Sequence, residues 1–118
     1  MAYPKEVLDT EQMLEYICGD RELASQMIDL FFEDAAASVP GIKKAFAARD
    51  YEQLYSCAHA LKGNAANLRA QRFTNYVQAL ATAAKTDHKE ADSLMNEFDI
   101  QYEQISTVLR EWQKTLNG

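Results

Sequence analysis

A chain of 118 residues with twelve Lys and Arg against eighteen Asp and Glu carries a formal charge of −6, and 47% of its residues are hydrophobic. That describes a single soluble domain, all 118 residues in one unit, with no room for a second catalytic domain or a lid. An acidic chain with no Lys/Arg cluster argues against nucleic acid as a partner, and no apolar run approaches the roughly 20 residues of a membrane span.

The opening stretch MAYPKEVLD has no apolar secretion segment, so a cytoplasmic protein without membrane contact is expected. Four glycines and two prolines are the only strong punctuation. β-Branched residues are sparse, while Ala, Leu, Glu, Gln and Lys favour helix throughout. Helix starts are marked by a short polar residue followed three positions later by Glu or Gln, the pattern that satisfies orphan amides in a capping box. Asp9 with Gln12, Asp50 with Gln53 and Asp87 with Glu90 are such pairs, and Gly19-Asp20 is a suitable junction for a fourth start.

Five helices follow in chain order. The first is short, near Thr10 to Ile17. The second runs from about Arg21 to Ala48, with a kink or a division into two helices at Pro40-Gly41, because proline lacks an amide and crowds the preceding turn. The third runs from Tyr51 to about Leu68, the fourth from about Gln71 to Lys85, and the fifth from His88 to about Leu116. Short turns between helices imply antiparallel neighbours. The expected fold is all-α, an antiparallel up-down-up-down four-helix bundle with a short additional N-terminal helix. Cys18 and Cys57 have no ligand-like spacing and read as buried reduced thiols. Met27, Phe31, Phe32, Phe46 and Phe98 recur at helical spacing and read as core, and Trp112 as a cap on the end of the bundle.

The third helix carries the chemical signal. At about 100° per residue, Leu54, Cys57, Ala58, Leu61, Ala65 and Leu68 fall along one stripe that faces the core. His59 sits at roughly 140° from the centre of that stripe, and Lys62, Gly63, Ala66 and Ala70 also lie away from it. A solvated face normally carries long polar side chains, so small residues beside an outward imidazole leave space for a bulky partner. A mid-helix glycine costs about 1 kcal/mol relative to alanine, so Gly63 needs a use. Imidazole is suited to nucleophilic attack on phosphorus, being largely neutral at pH 7, and Lys62 can pair with phosphoryl oxygens.

The run Ala58-His59-Ala60-Leu61-Lys62-Gly63-Asn64-Ala65-Ala66-Asn67-Leu68 resembles the signature AHxLKGxxxNxGA of histidine-containing phosphotransfer (HPt) domains. Leu8-Asp9, Gly19-Asp20, Phe31 and the stretch from Ala45 to Asp50 resemble further landmarks of that family in the same order. The resemblance implies a helical bundle that relays a phosphoryl group between receiver-domain aspartates through phosphohistidine at His59. It implies Lys62 as the charge near the phosphoryl group, and Gly63 and Ala66 as the small residues that give a receiver clearance to dock. Two positions depart from the pattern. Arg69 stands where glycine is usual, so the third helix is expected to end on a different cap or to run longer. Ala81 stands where many members carry a Gln or Glu that bonds the imidazole, and Gln78 is the candidate replacement.

No Gly-rich nucleotide loop or kinase signature is present, so the phosphoryl donor is another protein and autokinase activity is not expected. The partners implied are response-regulator receiver domains or a hybrid sensor histidine kinase. The chain itself is expected to be a monomer without a cofactor, any divalent metal residing on the receiver. His88 reads as plain surface, and a zinc site from Cys57, His59 and His88 fails because Cys57 and His59 face opposite ways. Two other readings use the same residues: a helical module that docks on a receiver-like partner without carrying phosphate, and a small hydrolase with His59 as general base. The second lacks a nucleophile and an oxyanion arrangement.

Overall fold

Aspartate starts four of the helices, and the computed structural model, which describes residues 4–117, shows each cap in place. Asp9, Asp20, Asp50 and Asp87 accept from the amides of Gln12, Leu23, Gln53 and Glu90 at 2.9–3.2 Å. The helices are α1 (Thr10–Tyr16), α2 (Arg21–Ala47), α3 (Tyr51–Asn67), α4 (Gln71–Thr86), α5 (His88–Met95) and α6 (Phe98–Asn117). There is no strand among the described residues, so the fold is all-α. No helix among them is long and apolar enough to cross a membrane.

At 1.5 Å per residue the 27 residues of α2 span about 40 Å, close to the 43 Å long axis of the molecule. α2 packs on α3 and α6, α3 on α4, and α4 on α5 and α6. Ile28, Phe31, Ile42, Leu54, Leu61, Val77, Leu80, Phe98, Ile105 and Leu109 fill the shared interior. The N-terminal segment closes one end. Leu8 and Met13 are buried, the Asp9 amide donates to the Arg69 carbonyl at 3.3 Å, and Arg72 pairs with Glu6.

Three sequence expectations need correction. α2 runs unbroken through Pro40, so the division into two helices is not made. Proline removes the amide that would bond the Ala36 carbonyl, but Pro40 and Ala36 are both exposed, and water can satisfy that carbonyl. The expected fifth helix is two helices, broken at Asn96-Glu97. There the Asn96 and Glu97 amides turn back to Ser93 and Leu94, and the Leu94 carbonyl also accepts from the Tyr76 hydroxyl of α4 at 2.6 Å. Neither cysteine is fully buried: Cys18 is exposed with φ +57° in the turn after α1, and Cys57 is half-buried; both are free thiols.

Arg69 adopts φ +60°, the left-handed conformation that a glycine would supply. α3 therefore ends at Asn67 and does not run longer. The Ala70 amide returns to the Ala65 carbonyl at 3.3 Å, which closes the helix end in a Schellman-type turn. Arginine carries a steric cost of about 1 kcal/mol here, offset in part by the guanidinium lying 4.7 Å from the Tyr16 ring centroid. Because α3 stops before it, Ala70 leaves the outward face that a continuous wheel assigns to it. It caps α4 instead and is buried.

Candidate functional site

α3 is positioned by the stripe of Leu54, Ala58, Leu61 and Ala65, each 0% exposed, which the sequence places toward the core. Burying that stripe fixes the rotation of the helix, and the rotation puts His59 and Gly63 on the exposed side. Lys62 and Ala66 are half-buried at its margin. The long lysine stem can lie on the helix surface while its ammonium stays in water.

The two mid-helix glycines have opposite surroundings. A Cβ added at Gly63 meets nothing within 4 Å, so the space one turn beyond His59 is open. A Cβ added at Gly41 in α2 would sit 2.9 Å from Cys57 Sγ of α3. Close packing is thus the use of Gly41, and it draws α2 and α3 together beside the site. A shallow groove lined by Met27, Leu30, Asn64 and Asn67 borders the outward face of α3, and Leu30 is 55% exposed there.

A side chain outside the motif stacks on the imidazole. Tyr55, one turn before His59, stacks on it with ring centroids 5.6 Å apart and planes 21° from parallel. Lys85 of α4 places its ammonium 4.2 Å from the Tyr55 centroid. The i−4 spacing of an aromatic residue before His59 was the available signal. Gln78 is exposed on α4 and donates its amide to Thr82 Oγ1 at 3.1 Å, along its own helix. Ala81 is 1% exposed, within the core.

His88 is exposed, as read from the sequence, but it is not idle surface. It stacks on Tyr51 with centroids 3.7 Å apart and planes at 6°, joining the start of α5 to the start of α3. The Tyr51 hydroxyl donates to Asp92 at 2.8 Å, and this hydrogen bond raises its pKa above the ordinary phenol value. Tyr51, Tyr55 and His59 therefore form a ringed stripe along α3 at four-residue spacing, with α4 and α5 side chains against it.

Residues 26–112, well over half of the chain, match the model of the Hpt domain family. The chain belongs to the Hpt domain family. Members carry out histidine phosphotransfer in phosphorelays as phosphocarriers, interacting with receiver domains and kinases. No significant match is found among the curated proteins or the solved structures.

Proposed function

We propose that this protein is a phosphorelay intermediate whose phosphorylated residue is His59. One observation carries the reading: an exposed imidazole on a rigid helix, with empty space at the next turn where Gly63 has no side chain. A partner's aspartyl phosphate can approach along that opening. The unprotonated ring nitrogen forms an N–P bond as the acyl P–O bond breaks, and the aspartate leaves as a carboxylate. The other ring nitrogen retains its proton, and onward donation is the reverse step toward a second aspartate.

In this reading Lys62 offers charge to the phosphoryl oxygens, and Gly63 and Ala66 keep the approach clear. The divalent metal such a transfer uses belongs to the receiver, so the chain supplies position and charge and no cofactor. It has no kinase activity of its own. The ring of packing contacts through α2, α3, α4 and α6 is read as an antiparallel four-helix bundle of one domain, and the protein as a cytoplasmic monomer.

The test is incubation with a receiver phosphorylated on aspartate, with phosphate followed by intact mass under alkaline conditions in wild type and in His59→Gln. Gain of one phosphoryl group by wild type alone is the expected result. Absence of transfer from several receivers that still bind both proteins overturns it in favour of a docking module.

A further inference from the structure

Ala81 of α4 is buried and has no polar atom on its side chain, so it offers the imidazole no hydrogen bond. Gln78, the alternative on α4, is engaged with Thr82. α4 nevertheless reaches His59 through an intermediate. Lys85 lies one turn after Ala81 on the same side of α4, and its ammonium sits 4.2 Å from the Tyr55 centroid. Tyr55 in turn stacks on His59.

We infer that Tyr55, held by Lys85, is the positioning residue that orients the His59 imidazole for phosphoryl transfer, in place of a hydrogen bond from α4. This rests on the phosphorelay reading above. An exposed histidine otherwise exchanges among side-chain rotamers, and only some of them aim a ring nitrogen outward. Tyr55 is half-buried, so its own ring is restrained by the packing around it. A flat ring against the imidazole restricts rotation without occupying either nitrogen. One nitrogen stays free to attack while the other keeps its proton.

The experiment compares wild type, Tyr55→Phe, Tyr55→Leu and Lys85→Met as phosphoryl acceptors from a phosphorylated receiver, with rate at saturation and receiver affinity measured separately. Tyr55→Leu keeps an apolar side chain and removes the ring face. It is expected to slow saturated transfer about two- to tenfold, the range of an aromatic pair, with affinity unchanged. Tyr55→Phe keeps the ring and restores the rate. Lys85→Met gives a smaller loss of the same kind, about twofold, and serves as the second variant should Tyr55→Leu not fold.

Wild-type speed in Tyr55→Leu overturns the inference, as does a loss confined to affinity, which would make Tyr55 a docking contact. A Tyr55→Phe protein as slow as Tyr55→Leu overturns it too. Nuclear Overhauser contacts between the Tyr55 and His59 rings in the unphosphorylated protein provide a readout that needs no transfer. If these contacts are present and no receiver phosphorylates the wild type, the phosphorelay reading has failed and not the ring geometry. If they are absent, the positioning inference falls by itself.

Discussion

Gly63 can be tested for stability and function in opposite directions at one position. Replacing a helical glycine by alanine gains about 1 kcal/mol when the new methyl group meets no neighbour, and a Cβ added at Gly63 meets nothing within 4 Å beyond its own stretch of helix backbone. The entropy of unfolding for a chain of this length is on the order of 0.25 kcal/mol per degree, so Gly63→Ala should raise the melting temperature by about 4 °C. Gly63→Gln should also be no less stable than wild type, since glutamine is a far better helix former than glycine. Its side chain, however, projects beside the imidazole of His59, whose Cβ is about 5–6 Å away one turn before. A docking partner displaced by about an ångström loses between about ten- and a hundredfold in rate. The assay pairs thermal denaturation followed by circular dichroism with transfer from a phosphorylated receiver. A destabilised Gly63→Ala would mean the space is not open. Transfer at the wild-type rate by a folded Gly63→Gln would remove the clearance argument.

Gly41→Ala should behave differently from Gly63→Ala. The added carbon sits 2.9 Å from Cys57 Sγ, and overpacking of about 1–3 kcal/mol outweighs the helix-propensity gain. The double variant with Cys57→Ala should recover part of that loss, and strict additivity in chemical denaturation would refute the contact. Tyr76 is buried, and burial, together with the Glu97 and Asp99 carboxylates, pushes its phenol well above the ordinary value near 10. A raised folded value means that this contribution is whole below about pH 10 and is lost as pH rises through the folded value. Tyr76→Phe should therefore cost about 1 kcal/mol at neutral pH through the lost Leu94 bond, and its urea midpoint should fall less steeply than that of wild type at alkaline pH; parallel curves would refute the assignment. Gln113 is buried and donates to the Ser25 carbonyl at 3.1 Å and to Asp29 Oδ1 at 2.7 Å, tying α6 to α2. Gln113→Ala should cost about 1–3 kcal/mol in denaturant unfolding, and a neutral effect would show that water replaces both bonds.

Local interactions made much of this protein legible before any contact was known. The four aspartate caps act on amides three residues away, so a short window of sequence contains both partners. The face of α3 that carries His59 follows from a 3.6-residue period and an apolar stripe, and Gly63 stands out because a glycine there costs stability without a local reason. Other features depend on residues distant in sequence. Helix propensity continues through Asn96 and Glu97, yet the chain breaks there, where the Tyr76 hydroxyl from α4 bonds the Leu94 carbonyl. Arg69 gives no local sign that it takes the conformation of a glycine; in the folded chain the Tyr16 ring lies beside its guanidinium and its carbonyl accepts from Asp9. Gly41 and Gly63 look alike as mid-helix glycines, and only the approach of Cys57 on a second helix distinguishes a packed site from an open one. Tyr55 stands four residues before His59 and could have been noticed, but the cation that holds its ring comes from α4, thirty residues later. Sequence alone thus determined where four of the helices begin and which side of α3 faces out, because those are short-range choices of capping and period. The tertiary structure decided where the long C-terminal helix breaks, which glycine is crowded and what touches the imidazole, because each depends on groups that only the packing of helices brings together.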